Sequence, residues 1–265
     1  MIKLAIAGAG GRMGQRLLDL SDKDKDFELV QAIEWSGFPL LGKKLNSGTV
    51  LAQRADSVVW TSELAEGADL LIDFSSPEST IQNALAAKRM GIALVVGTTG
   101  LDEAQEAELH EVAKAIPVMH APNYSLGVNL MFKLASEAAR VLGDEYNIEI
   151  VEVHHNQKVD APSGTAIGLA RAVSEPLGRD PVEDLVHGRE GKPGKRTTRE
   201  IGMHALRMGS VAGEHTAYFC SNHECLSISH RAESRDVFAA GALRAAKWLR
   251  SRPTGYYTMQ DMLFG

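Results

Sequence analysis

Cysteine is scarce in this chain: Cys220 and Cys225 are the only two among 265 residues. They flank Ser221-Asn222-His223-Glu224, a spacing that lets them face each other across a hairpin. Two cysteines exclude a disulfide-built scaffold, and the pair is expected as free thiols that behave as small apolar residues. No run of about 18 apolar residues occurs, which excludes a transmembrane helix. The N-terminus lacks the apolar core and cleavage site of a signal peptide, so a cytoplasmic protein is expected. Positive charge is not in excess. The net charge of −6 gives no ground for nucleic-acid binding. No common zinc spacing is present either: His154, His155 and Asp160 come nearest and match none, so no metal is expected.

What remains is an ordinary globular composition, with 44% hydrophobic and 23% charged residues. At this length it suits one large domain or two small ones.

The N-terminal half alternates strand and helix signals. Ile2 to Ala7 is a short apolar run suited to a buried parallel strand. Gly8, Ala9, Gly10, Gly11, Arg12, Met13 and Gly14 follow, then a helix-compatible stretch. A strand, a glycine turn and a helix open a dinucleotide-binding fold, with the pyrophosphate resting on the helix N-terminus. The common G-x-G-x-x-G spacing puts glycine where Met13 stands, so the set reads better as Gly8, Gly11 and Gly14. A second strand, Phe27 to Ile33, ends at Glu34, twenty residues after Gly14. An acid there can accept hydrogen bonds from ribose hydroxyls. Further strands are expected at Asp69–Phe74, Ile92–Val96 and Pro117–His120. Such alternation predicts a Rossmann-type doubly wound parallel sheet whose ligand sits at the strand carboxyl ends. Gly8–Gly14, Glu34, Phe74–Ser76, Gly97–Gly100 and Ala121–Ser125 should then line one crevice.

Past Ser125 the pattern changes. Helices are expected over 128–142 and 165–177, and strands over 147–153, 201–208, 215–221 and 224–230, with one slip of alternation at Ile150-Val151. This is an α+β domain with a mainly antiparallel or mixed sheet. The basic, glycine-rich stretch from His187 to Arg199 is expected to be a mobile solvated loop. The helix over 236–250 is expected to return to the first domain. The boundaries are therefore 1–125 with 236–265, and 126–235.

The densest chemistry lies in His154-His155-Asn156-Gln157-Lys158-Val159-Asp160-Ala161-Pro162-Ser163-Gly164-Thr165-Ala166. Two imidazoles and an ammonium precede a Ser-Gly-Thr that opens an Ala-rich helix. A helix N-terminus presents free N–H groups and a positive dipole end to an anion. Lys158 and His155 add positive charge, so the passage reads as a pocket for a small acid with a proton donor at hand. Glu152 shares strand parity with His154, but is expected to be a solvated surface acid.

Together these motifs resemble the 4-hydroxy-tetrahydrodipicolinate reductase (dihydrodipicolinate reductase) family. The resemblance covers essentially the whole chain. It is carried by the Gly8–Gly14 turn, Gly97-Thr98-Thr99-Gly100, Asn123 to Asn129, Glu152 to Ala166, and Gly213-Glu214-His215-Thr216. It implies a nicotinamide cofactor held by Gly8 to Met13, Gly97, Thr98, Thr99, Ala121, Pro122, Asn123 and Tyr124, with Glu34 on the adenosine ribose. It implies His154 as acid/base residue, Lys158 as proton donor, and His155 with the Gly164 and Thr165 backbone on the carboxylates of a small cyclic dicarboxylate. A homotetramer built through the second domain is implied as well; the chemistry needs the cofactor crevice and the acid pocket brought together, so hinge closure is expected. Many members accept NADPH through a basic residue directly after the ribose acid; here Trp35 stands there, with Arg12, Lys43 and Lys44 as nearby cations. NADH is therefore expected to be favoured and NADPH accepted. Two other classes fit parts of the pattern. A different two-domain amino-acid dehydrogenase would share the first half but has no reason to carry the His-His motif. A non-catalytic NAD(P)-sensing protein would not need His154 and Lys158.

Overall fold

A computed structural model of the protein describes residues 1–45 and 58–265. They form two compact units, Met1–Ser125 with Arg235–Gly265, and Leu126–Ser234.

The first unit begins with β1 (Ile2–Ala7), α1 (Arg12–Lys23), β2 (Phe27–Ile33), β3 (Trp60–Thr61), β4 (Leu70–Asp73), α2 (Pro77–Met90), β5 (Ala93–Val96), α3 (Glu103–Ala113) and β6 (Pro117–His120). The second unit holds α4 (Leu126–Leu142), β7 (Asn147–His154), α5 (Gly164–Ser174), β8 (Leu185–His187), β9 (Ile201–Arg207), β10 (Glu214–Cys220) and β11 (Cys225–Arg231). The chain returns to the first unit through α6 (Asp236–Leu249), β12 (Gly255–Tyr257) and α7 (Met259–Phe264). Among the described residues, no helix is long and apolar enough to cross a membrane.

The first sheet is parallel throughout, in the order β3-β2-β1-β4-β5-β6-β12. Helices on both faces cover its centre: Leu4, Ala5 and Ile6 of β1 have no exposed surface, and every residue of β4 and β5 is buried. Strand order reverses direction between β1 and β4, which is where a doubly wound sheet opens its ligand crevice. Local chemistry sets the helix ends. Ser76 caps α2 by accepting from the Ser79 N–H, Pro77 opens it, and Gly91 closes it in a left-handed conformation. Asp102 and Gln105 form a reciprocal capping box on α3. The C-terminal segment is tied in by a bidentate Arg16–Asp236 pair at 2.6 and 2.8 Å. Gly241 of α6 lies against the Tyr124 carbonyl, where a Cβ has no room.

The second sheet is mixed, in the order β11-β10-β7-β9-β8. β10 runs antiparallel to β7 and β11, while β9 runs parallel to β7 and β8. Ile148, Ile150, Met203, Ala217 and Phe219 pack under Met131, Ala135 and Leu169 of α4 and α5. Along β7 burial alternates from Asn147 to Glu152, with Ile148, Ile150 and Glu152 buried, and then Val153 and His154 are both buried. The expected slip at Ile150-Val151 is absent: Val151 lies on the other face, which is also partly apolar.

One further expectation is corrected. Cys220 and Cys225 are not free thiols; they face each other as the last pair of the β10–β11 hairpin, with Cα atoms 4.1 Å apart, and their sulfurs are bonded. Direct opposition in an antiparallel pair supplies that proximity. The 187–199 stretch is exposed along most of its length, as expected of a solvated loop, but two of its arginines tie it to neighbouring strands. Arg189 bridges Glu149 and Glu200 at 2.7 and 2.6 Å, and Arg196 donates to the carbonyls of Ile148 and Glu200. Burial pushes the Glu149 carboxyl up, but Arg189, His204 and Arg196 outweigh it and hold it at about 2.

Candidate active site

In the first unit the glycine turn and Glu34 form one wall of a crevice of about 630 Å³. Gly8, Gly11, Glu34, Trp35, Ser75 and Asn83 contribute to its lining. Gly8 has a φ of +70°, and a Cβ on it would strike the Phe74 carbonyl. A Cβ on Gly14 would strike Gly8 and the Ala9 backbone, so glycine is what lets α1 seat against the turn. The Gly10 N–H donates to Glu34 Oε1 at 2.8 Å, and the Gly11 N–H to the Gly8 carbonyl at 3.0 Å. The α1 N-terminus carries no acidic residue in its first turn, and Arg12 is exposed there. A tight glycine cradle opening onto an unopposed positive helix end suits a pyrophosphate.

The other sequence-predicted cofactor segments lie at neighbouring strand ends, outside that lining. Gly97 follows β5 and packs where the Phe74 ring leaves no room for a Cβ. Thr98 is buried and Thr99 exposed. Ala121 to Tyr124 follow β6. Pro122 is exposed, and Asn123 caps its own turn by accepting from the Ser125 N–H at 2.8 Å. Tyr124 is fully packed, with its hydroxyl donating to the Val96 carbonyl at 2.8 Å. Its side chain is a core strut, so its backbone is what it can offer a ligand.

Sequence reading missed what ties these loops together. Asp73, at the end of β4, has no exposed surface. Its carboxylate accepts from the Ser75 N–H and hydroxyl, the Asn83 amide, and the Thr80 and Thr98 hydroxyls, at 2.6 to 3.2 Å. An aspartate at a strand end after an apolar run was the available signal.

The second unit places His154 at the end of β7, next to the turn that leads into α5. Glu152 is corrected here: it is not a solvated acid but has no exposed surface at all. Its Oε2 accepts from His154 Nδ1 at 2.5 Å and from Arg207 at 2.9 Å; its Oε1 accepts from Arg207 at 2.8 Å and from the Ser163 N–H at 3.1 Å. Burial alone pushes this carboxyl up, but the hydrogen bonds from Arg207 and His154 prevail and hold it below the usual carboxylate range. His154 itself is shifted down, chiefly by burial, with Glu152 opposing and Lys158 and Arg207 adding to the shift. The His215 ring meets His154 edge-on at 5.2 Å and pairs through Nε2 with the Ser163 hydroxyl at 2.9 Å. Burial and the neighbouring His154 push His215 down to about 4.

Lys158 is ion-paired with Asp160 at 2.8 Å. His155 and Thr165 are half-buried and Gly164 exposed. Ser163 caps α5 by accepting from the Ala166 N–H, and the first turn of α5 holds no acid. The unit therefore gathers His154, His155, Lys158, Gly164 and Thr165 along one continuous turn, as the motif predicts. Arg207 was not foreseen; its only sequence signal is a position at the end of a strand. Among the described residues, no cluster of histidines, cysteines and acids could hold a metal.

Comparison with known proteins covers both units. The family model described as dihydrodipicolinate reductase, N-terminus, matches residues 2–124, and its C-terminus counterpart matches 127–263. A 4-hydroxy-tetrahydrodipicolinate reductase of Syntrophotalea carbinolica is 46% identical, covering 99% of each chain. One of Alkalilimnicola ehrlichii is also 46% identical, covering 98% of each. The solved dipicolinate-bound dihydrodipicolinate reductase of Paenisporosarcina sp. TG-14 is 23% identical over 100% of both chains, with a TM-score of 0.77, and agrees in fold. With both halves matched by its models and full-length relatives well above 30% identity, this chain belongs to the dihydrodipicolinate reductase family.

Proposed function

We propose that the protein reduces 4-hydroxy-tetrahydrodipicolinate to tetrahydrodipicolinate, in diaminopimelate and lysine biosynthesis, with NADH favoured over NADPH. The first unit is the dinucleotide-binding domain and the second the substrate-binding domain. When bound, the reduced nicotinamide supplies hydride to the substrate ring. Gly8 to Met13 and the α1 N-terminus hold the pyrophosphate, and Glu34 accepts from the adenosine ribose. Gly97, Thr98, Thr99 and the 121–124 segment hold the nicotinamide end. In the second unit the backbone of Gly164 and Thr165, at the positive end of α5, binds a substrate carboxylate together with His155. Across the reaction the substrate gains a hydride and a proton and loses its 4-hydroxyl as water; Lys158 Nζ supplies the proton, and His154 polarises the substrate and acts as acid/base group.

The observation that carries this reading is the His154–Lys158 turn leading straight into the N-terminus of α5, in a chain of this family. The test is NADH oxidation with the unstable substrate generated in situ by the preceding synthase. Turnover supports the reading. Binding of NADH without turnover points to a nucleotide sensor, and oxidation of an amino acid with NAD to a different dehydrogenase.

We also propose a homotetramer formed through the second unit. Leu206, Met208 and Tyr218 expose 45%, 52% and 37% of their surfaces beside the outer face of its sheet, which calls for cover. Light scattering at micromolar concentration should give four times the monomer mass; a monomer mass would refute this.

A further inference from the structure

The Glu152 carboxylate is the only fully buried acid of the second unit among the described residues. It reaches no solvent, so no dissolved ligand touches it directly. All four of its hydrogen bonds are to protein: one to His154, two to Arg207, one to the Ser163 backbone. We infer that Glu152 is a positioning residue for His154, fixing the imidazole with Nδ1–H toward Glu152 and leaving Nε2 as the nitrogen that works on the substrate.

The argument is one of donors and acceptors. An ionised carboxylate only accepts, so the ring nitrogen facing Glu152 must carry a hydrogen. In the neutral imidazole the other nitrogen then holds the lone pair. His154 can therefore take up or release a proton only at Nε2. A glycine faces that edge. Gly213, which precedes β10, lies beside Nε2, and a Cβ on it would come within 3.0 Å of that atom. Glu152 is itself immobilised. Arg207 grips both of its oxygens, and the residue that donates the Ser163 N–H also caps α5. One carboxylate thus couples the orientation of His154 to the start of the helix whose N-terminus is proposed to bind the substrate.

The groups around the ring make this orientation consequential. Arg207 faces it from β9, His215 from β10 with His230 behind it on β11, and Lys158, paired with Asp160, from the turn. All except Glu152 and Asp160 are cationic or become so on protonation. Among the described residues only Glu152 bonds the ring and opposes the loss of its proton, so removing that charge lets His154 deprotonate at lower pH.

This inference rests on His154 being the acid/base group, and the experiment separates the two. Glu152→Gln, Glu152→Asp and His154→Gln are compared with the native enzyme in steady-state assays across pH. Melting temperatures check folding, and nitrogen NMR of the labelled histidines reads the tautomer. In Glu152→Gln, kcat is expected to fall by about 10²-fold or more, with KM for NADH unchanged and the His154 limb of the pH profile moved to lower pH. Glu152→Asp should restore part of kcat and the native limb. In the native enzyme His154 should carry its neutral-state proton on Nδ1. If His154→Gln retains native turnover, the acid/base reading itself falls. If His154→Gln is crippled while Glu152→Gln keeps native kcat and pH profile, only the positioning role falls. Should Glu152→Gln fail to fold, the native spectrum decides, and a proton on Nε2 would overturn the inference.

Discussion

Gly10 donates its backbone N–H to Oε1 of Glu34 across 2.8 Å, so the glycine turn and the acid that ends β2 are one hydrogen-bonded unit. The second oxygen of Glu34 accepts from the Trp35 N–H at 3.3 Å. Each oxygen keeps lone-pair capacity for a ribose hydroxyl, while the carboxylate charge repels a phosphate at the same place.

The proposed preference for NADH follows from that charge. Trp35 is 64% exposed beside Glu34 and presents an indole but no cation, and Glu63 adds a second carboxylate to the crevice lining. The native enzyme is expected to show a higher kcat/KM for NADH than for NADPH. Trp35→Arg should raise kcat/KM for NADPH selectively, on the order of tenfold, and more so at low salt, where screening is weaker. Equal changes for both cofactors would contradict this account of Glu34 and Trp35.

Loss of either proposed proton-handling group should be severe. His154→Ala and Lys158→Ala are each expected to lower kcat by about 10² to 10⁴-fold. Fluorescence titration should find NADH affinity nearly unchanged, because both residues lie outside the unit that holds the glycine turn. Near-native turnover in both variants would dismiss the assigned roles.

Acid should weaken the second unit through His215. Its folded pKa of about 4 lies below the ordinary 6.5. A depressed value means the unfolded chain binds the proton more readily, so stability is full above about 6.5 and is lost as pH falls toward 4. Between pH 7.5 and 5 this one group should remove about 2 kcal/mol. Urea midpoints at the two pH values measure the loss, and His215→Gln should flatten it. An equally steep acid limb in the variant would assign the effect to other groups.

Gly14→Ala tests the seating of α1. The added methyl would overlap Gly8 and Ala9, so α1 must move off the turn. Overpacking of this kind costs about 1–3 kcal/mol. Calorimetry should show a lower Tm, and NADH should bind more weakly than in the native protein. A variant with native Tm and native NADH affinity would show that the turn tolerates a larger spacing than its geometry implies.

Much of this molecule is legible in its residues alone. The parallel sheet was readable because runs such as Leu4–Ala7 and Ile92–Val96 are apolar on both faces, and the glycine turn, Ser76 and Asp102 mark where α1, α2 and α3 begin. The short strands Trp60–Thr61, Leu185–His187 and Gly255–Tyr257 were not, since two or three residues carry no periodicity and form only because a sheet edge is there to receive them. The His154–Thr165 turn could be read from its residues, because those side chains are neighbours in sequence. What surrounds it could not. Arg207 is 55 residues from Glu152, and His215 is 52 from Ser163. Nothing local in Glu152-Val153-His154 distinguishes a solvated acid from a buried one. That difference arises only when β9 brings a guanidinium to one side of the carboxylate and α5 closes over the other. Sequence settles which chemistry is available along a turn; burial and long-range pairing decide which nitrogen of His154 is held against Glu152.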